Sequence, residues 1–143
     1  MHRFHINISV ADLEKSIEFY RTLFGEEPTI HKDDYAKWML DDPRINFAIS
    51  LSKGHRGINH IGLQADTLEQ LGDIQERLRA ADAIVFDQPD AHCCYVRSTK
   101  TWVRDPDDVA WETFVTHEGT TQYGEDFAPA AGARPEPETR CCN

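Results

Sequence analysis

The chain opens on strict alternation. His5, Asn7 and Ser9 share one face of an extended segment, and Ile6, Ile8 and Val10 share the other. The same pattern returns where His60, Gly62 and Gln64 oppose Ile61, Leu63 and Ala65. After each strand the period changes to that of a helix. Leu13, Ile17, Tyr20 and Phe24 recur at helical spacing, with Asp12 placed to cap the start and Gly25 to stop the end. In the second segment Thr67-Leu-Glu-Gln70 has the form of a capping box, and Leu68, Leu71, Ile74 and Leu78 make the apolar stripe. Short strands follow each helix. They are expected at roughly 35–40 and 45–50, after a short one around Pro28–His31, and then at roughly 83–86, 93–97, 101–104 and 110–116.

These segments are two copies of one unit. His5-Ile-Asn-Ile-Ser-Val-Ala-Asp-Leu-Glu14 matches His60-Ile-Gly-Leu-Gln-Ala-Asp-Thr-Leu-Glu69, with the histidine nine positions before the glutamate in both (14 − 5 and 69 − 60). The ends match too. Leu40-Asp-Asp-Pro43-Arg-Ile-Asn46 resembles Val103-Arg-Asp-Pro106-Asp-Asp-Val-Ala-Trp-Glu112, the second hairpin being three residues longer (112 − 106 against 46 − 43). Asn46 therefore stands where Glu112 stands in the second copy. The expected fold is α+β: two βαβββ modules, about 1–52 and 57–118, form a single domain over 1–118. Their curved mixed sheet is expected to turn its apolar faces to the helices and its polar faces to a shared cavity around a metal site. Residues 119–143 lose all periodicity and read as a flexible tail.

The polar faces carry the chemistry. His5 and His60 occupy equivalent places on the two first strands, and Glu112 comes from a last strand. Two histidines and one carboxylate leave coordination positions open, the arrangement of non-haem Fe(II) oxygenases, although other divalent metals also suit it. A Glu or His at position 46 would complete a four-ligand set of the Zn or Ni lyase kind, whereas the amide of Asn46 leaves a gap. A lone strand histidine is more often a hydrogen-bonded structural residue, and the matched register of two is what favours a metal. His2, His31, His55, His92 and His117 have no matched partner and read as surface or loop residues.

Charge and cysteines narrow the partners. A formal net charge of −10 repels nucleic acid and anionic membranes and points to a small molecule or a cation. No segment resembles a signal peptide or reaches the roughly 20 apolar residues of a membrane span, so the expected location is cytoplasmic. The four cysteines form two adjacent pairs, Cys93-Cys94 and Cys141-Cys142. In a reducing compartment these are thiols, and neighbouring thiolates chelate soft centres such as trivalent arsenic or Cd²⁺. Cys141 and Cys142 are a possible accessory soft-metal pair. Tyr35, Trp38 and Trp111 read as core or strand-pair residues, while Tyr95 and Trp102 flank the loop after Cys93-Cys94, read as Arg97–Lys100, and are candidate substrate neighbours.

Four segments carry a family resemblance: Val10-Ala-Asp-Leu-Glu-Lys-Ser-Ile-Glu-Phe-Tyr20, Gly57-Ile-Asn-His-Ile-Gly-Leu-Gln64, Cys93-Cys94-Tyr95, and Thr101-Trp-Val-Arg-Asp-Pro106 with Trp111-Glu112. Over about residues 3–117 the chain resembles the carbon–arsenic lyases of the vicinal oxygen chelate (glyoxalase/bleomycin-resistance/dioxygenase) superfamily and their cadmium-induced relatives. The resemblance implies an Fe(II)- and O₂-dependent dioxygenase that cleaves the C–As bond of trivalent methyl or aromatic arsenicals and releases arsenite, an arsenic-resistance activity. His5, His60 and Glu112 correspond to the iron ligands, and Cys93 and Cys94 to the thiolates that hold arsenic. Members of the superfamily are often homodimers, by analogy only. Two departures stand out: Asp108 where relatives more often have Gly after Asp-Pro-Asp, and Arg97-Ser-Thr-Lys100 where they have an acidic residue before the lysine. Two other readings use the same residues: a non-catalytic cytosolic cadmium- or arsenite-binding resistance protein, and a glyoxalase-type metalloenzyme.

Overall fold

Asp12 starts the first helix by accepting the Lys15 N–H at 3.1 Å, and Gly25 ends it at φ 72°, where an L side chain would be strained. In the computed structural model, which describes residues 1–93 and 96–119, this helix is α1, Leu13–Phe24. It follows β1 (Arg3–Val10) and precedes β2 (Ile30–His31), β3 (Tyr35–Asp41) and β4 (Arg44–Leu51). The strand β5 (Gly57–Gln64) leads to α2 (Leu68–Ala80), then β6 (Phe86–Cys93), β7 (Val96–Arg104) and β8 (Ala110–Gly119). This is the expected mixed α+β class, with the strands hydrogen-bonded in the order β2-β3-β4-β1-β5-β8-β7-β6. No helix among the described residues is long and apolar enough to cross a membrane.

The chain divides into two compact units, and the division falls inside β5. One unit is Arg3–Ile61; the other is Met1–His2 with the chain from Gly62 onward. In the first unit β1 runs parallel to β4 with His5 opposite Asn46, and β3 is antiparallel to β4. Val10, Leu13, Ile17, Ala36, Trp38, Leu40, Phe47 and Ile49 form its core, and Ile6, Ile8, Tyr20 and Phe24 pack against it. The Tyr20 ring lies 4.5 Å from that of Phe47, which is how the stripe of α1 grips the sheet. The buried Trp38 indole donates to the Glu26 carbonyl at 3.0 Å, so its one polar atom is satisfied. On β1 the polar residues are the deeper ones: His5, Asn7 and Ser9 are 4–5% exposed, while Ile6 and Ile8 are half-buried. Each of these buried polar side chains is bonded: His5 to the Asn46 carbonyl, Asn7 to Ser50 Oγ at 3.2 Å and Ser9 to the Asn59 amide, which offsets the cost of burying them.

In the second unit β6, β7 and β8 are successive antiparallel strands, and the Ala65 N–H donates to the Phe114 carbonyl at 2.8 Å where β5 runs alongside β8. Ala65, Leu71 and Val115 form its core beneath α2. Thr67 caps α2 by accepting the Gln70 N–H, and Gln70 reaches back to the Asp66 N–H. Leu68 is not part of the buried stripe and is 56% exposed. At about 100° per residue it sits roughly 90° from the line of Leu71, Ile74 and Leu78.

Two strand expectations are corrected. No strand spans 83–86; Ile84 is 61% exposed and β6 begins at Phe86. Of the expected strand at 93–97, Cys93 ends β6 and Val96 begins β7, Cys94 and Tyr95 lying outside the described residues; β7 then runs on through Arg97–Lys100, with no loop there, into the expected strand at 101–104. Ser98, Lys100 and Trp102 bury one face of β7, while on the other Arg97 is exposed and Thr99 half-buried; because Arg97-Ser-Thr-Lys-Thr101 is polar on both faces, its letters show no alternation to read. Pro89 falls within β6, which is tolerated because β6 ends the strand order and a register shift separates Gln88 from Ala91.

Candidate metal centre

His5 and His60 meet inside the first unit. Their Nε2 atoms are 3.1 Å apart, with ring centroids at 5.2 Å and planes inclined by 44°. Both residues are buried. The His5 Nδ1–H donates to the Asn46 backbone carbonyl at 3.0 Å, and the His60 Nδ1–H donates to the Asn59 amide oxygen at 2.8 Å. The Asn59 amide nitrogen in turn donates to Ser9 Oγ at 3.4 Å. A proton on each Nδ1 leaves each Nε2 with its lone pair, and the two lone pairs converge on one space. Two acceptors at this distance repel unless a proton or a metal ion lies between them. Fixing the remote nitrogen with an oxygen acceptor is how proteins prepare imidazoles for a metal. The donor set therefore fits a divalent cation.

Glu112 is positioned by the second unit. It lies directly across from Trp102 in the β7–β8 pair and is 2% exposed. Lys100 Nζ approaches Glu112 Oε1 to 2.5 Å, and both side chains are buried. The Trp102 indole donates to Gln88 Oε1 at 2.9 Å, and Lys100 Nζ lies 6.0 Å from the Trp102 ring. Gly62 belongs to the same unit and, two residues along β5, to the same face as His60. A Cβ there would sit 1.8 Å from the Glu112 carbonyl oxygen, so only glycine permits this approach of backbones.

The turn before Glu112 is self-supporting. The Asp105 carboxylate accepts the N–H groups of Asp107 and Val109, both at 3.0 Å, and the Trp111 indole N–H at 3.3 Å. The bond from Val109, more than the others, holds the Asp105 carboxyl below its ordinary pKa. Asp108, the departure noted above, adopts φ 69°, a conformation that glycine takes without strain.

The strand registers bear out the equivalence of Asn46 and Glu112. Asn46 faces Met39 across β3–β4, as Glu112 faces Trp102 across β7–β8, and Asn46 is 3% exposed. The third strand of each unit also carries a buried lysine at one equivalent place, Lys37 and Lys100.

With the fold and these positions in hand, comparison with known proteins is decisive for the family. The model of the Glyoxalase/Bleomycin resistance protein/Dioxygenase superfamily matches residues 3–113. The chain belongs to that superfamily. It is 37% identical to a trivalent organoarsenical cleaving enzyme of Bacillus sp. (strain MD1), over 97% of this chain and 89% of that one. It is 28% identical to the cadmium-induced protein CadI of Mycobacterium bovis, over 87% of this chain and 82% of that one. Among solved structures it is similar to an extradiol ring-cleaving dioxygenase from B. fuscum, with a TM-score of 0.61 and 14% identity, covering 81% of this chain and 32% of that one. At that identity the last likeness speaks to fold alone.

For this superfamily member the other candidates from the sequence divide into three groups. Trp102 is buried beside Lys100 and across from Glu112. Cys93 is the last residue of β6, paired in register with Val96. Cys94, Tyr95, Cys141 and Cys142 lie outside the described residues. Among the unmatched histidines, His31 approaches Glu14, His55 the Ile58 carbonyl and His117 the Thr99 hydroxyl, all in exposed settings. Sequence reasoning missed Lys100, Asn59 and Gly62. Asn59 and Gly62 stood on either side of His60 in Asn-His-Ile-Gly, and Lys100 stood at the place that Lys37 holds in the first copy.

Proposed function

We propose that this protein cleaves the carbon–arsenic bond of trivalent organoarsenicals, using O₂ and releasing arsenite. In this reading His5, His60 and Glu112 hold one Fe(II), and Cys93 with Cys94 hold arsenic. The observation that carries the metal is the pair of facing imidazoles, with both remote nitrogens engaged and both Nε2 lone pairs converging. His5, His60 and Glu112 are all buried and of the residue types that ligate divalent metals. The substrate class is supported by relatives that span nearly the whole chain and are named for organoarsenical cleavage.

The chain's own residues divide the work. Asn46, through its carbonyl, and Asn59 set the tautomer and the angle of the two imidazoles, so little reorganisation is needed when a metal enters. Lys100 balances the charge of Glu112 in a buried setting where an unpaired carboxylate would take up a proton. The thiolates of Cys93 and Cys94 suit As(III), because sulfur bonds to soft centres are strong, and two of them fix the direction of the organic substituent. Holding the C–As bond in one orientation removes much of the entropy barrier. Bound Fe(II) would supply the activation of O₂ that closed-shell protein groups lack.

Aerobic incubation of the Fe(II)-loaded protein with methylarsenite tests the reading. Arsenite should appear in proportion to substrate consumed, and Cys93→Ser/Cys94→Ser should abolish its release. An iron-loaded protein that binds methylarsenite yet releases no arsenite contradicts it.

A further inference from the structure

Glu112 and Lys100 form an ion pair with almost no solvent: their side chains are 2% and 3% exposed, and the contact is 2.5 Å. Such a pair is expensive to desolvate, and a hydrophobic pair of similar volume often serves stability as well or better. Stability alone therefore does not account for it. A carboxylate offers two oxygens, and here the ammonium engages one of them, Oε1. The lysine is well fixed for the purpose. It sits mid-strand on β7, paired in register with Phe114 on one side and Gln88 on the other, with its ammonium near the Trp102 ring.

Resting on the reading of Glu112 as a metal ligand, we propose that Lys100 is its positioning residue. By occupying Oε1 it restricts Glu112 to one ligand oxygen and so keeps a coordination position open for an exogenous ligand. A carboxylate without this restraint can close on a metal with both oxygens and fill that position. A lysine is suited to this because it is a point charge with rotatable donors and no acceptor of its own, so it cannot become a ligand while protonated.

The test uses full-length Co(II)-substituted protein and azide as the exogenous ligand, read by the cobalt ligand-field absorption. Wild type should bind one Co(II) and then azide, and Glu112→Gln should bind Co(II) poorly. In Lys100→Met and Lys100→Gln, Co(II) should still bind with an altered ligand-field spectrum, and azide affinity should fall by about tenfold or more, whereas Lys100→Arg should restore much of it. A Lys100→Met or Lys100→Gln protein with the wild-type spectrum and azide affinity overturns the proposal while the metal reading stands. Failure of both variants to fold would make Lys100 a folding determinant and also overturns it. If Glu112→Gln binds Co(II) as wild type does, Glu112 is not a ligand, and the metal reading falls first and takes the role of Lys100 with it.

Discussion

His5 Nε2 and His60 Nε2 lie 3.1 Å apart, each held by a hydrogen bond at the opposite ring nitrogen. The repeat underlies the relationship: the two histidines stand at matching places on β1 and β5, which are neighbours in the strand order. It also makes the second-sphere contacts testable separately from the ligands.

Asn59 is the more separable of the two supports, because it acts through its side chain whereas Asn46 acts through backbone. Asn59→Ala removes the acceptor for His60 Nδ1–H and frees the ring to take the other tautomer. Metal affinity should fall by about 10- to 100-fold, with the thermal midpoint nearly unchanged, since Asn59 itself is exposed. Calorimetric metal titration beside a thermal melt separates these effects.

Gly62 and Gly72 should respond to the same substitution with opposite signs. Gly62→Ala places a Cβ 1.8 Å from the Glu112 carbonyl oxygen, and the backbone has to yield. A loss of about 3 kcal/mol or more is expected. A Cβ at Gly72, within α2, meets nothing within 4 Å. Gly72→Ala should add about 0.5–1 kcal/mol of stability by lowering the entropy of the unfolded chain. Urea denaturation of the two variants checks both.

The Asp105 turn sets part of the acid response. Its folded-state pKa is depressed below the ordinary 3.8, chiefly by the Val109 N–H. A depressed carboxyl contributes stability that is fully present above the unfolded pKa and is lost as pH falls through the folded one. Asp105→Ala should therefore lower the urea midpoint at neutral pH, and the deficit should shrink as pH falls below 3.8 and through the folded-state value. A deficit independent of pH would show that the carboxylate's bonds are not the cause.

Much of the fold was legible because a few residues state their geometry locally. Asp12 and Gly25 bracket α1, and the alternation of β1 and β5 separated the buried polar face from the face packed on the core. The strand β7 was hidden, because Arg97-Ser-Thr-Lys-Thr101 is polar on its buried and on its more exposed face, and so has neither an apolar run nor alternation. Lys100 was hidden for a related reason. Lysine in a strand usually signals solvent, and only the partner carboxylate shows otherwise. A clue was present in the repeat, since Lys37 and Lys100 keep the offset of Leu40 and Val103 (100 − 37 and 103 − 40). Gly62 stood beside His60 in Asn-His-Ile-Gly, but the reason for a glycine there was not legible, because its cause is the backbone of a residue fifty positions away (112 − 62).

The most direct measurement is an anaerobic equilibrium titration of Fe(II) into the wild-type protein and into His5→Ala, His60→Ala and Glu112→Ala. One ion should bind per chain, and each single substitution should weaken binding by about 100-fold or more, since each removes a whole ligand. Undiminished binding in any of the three folded variants would contradict the His5–His60–Glu112 centre on which the account rests.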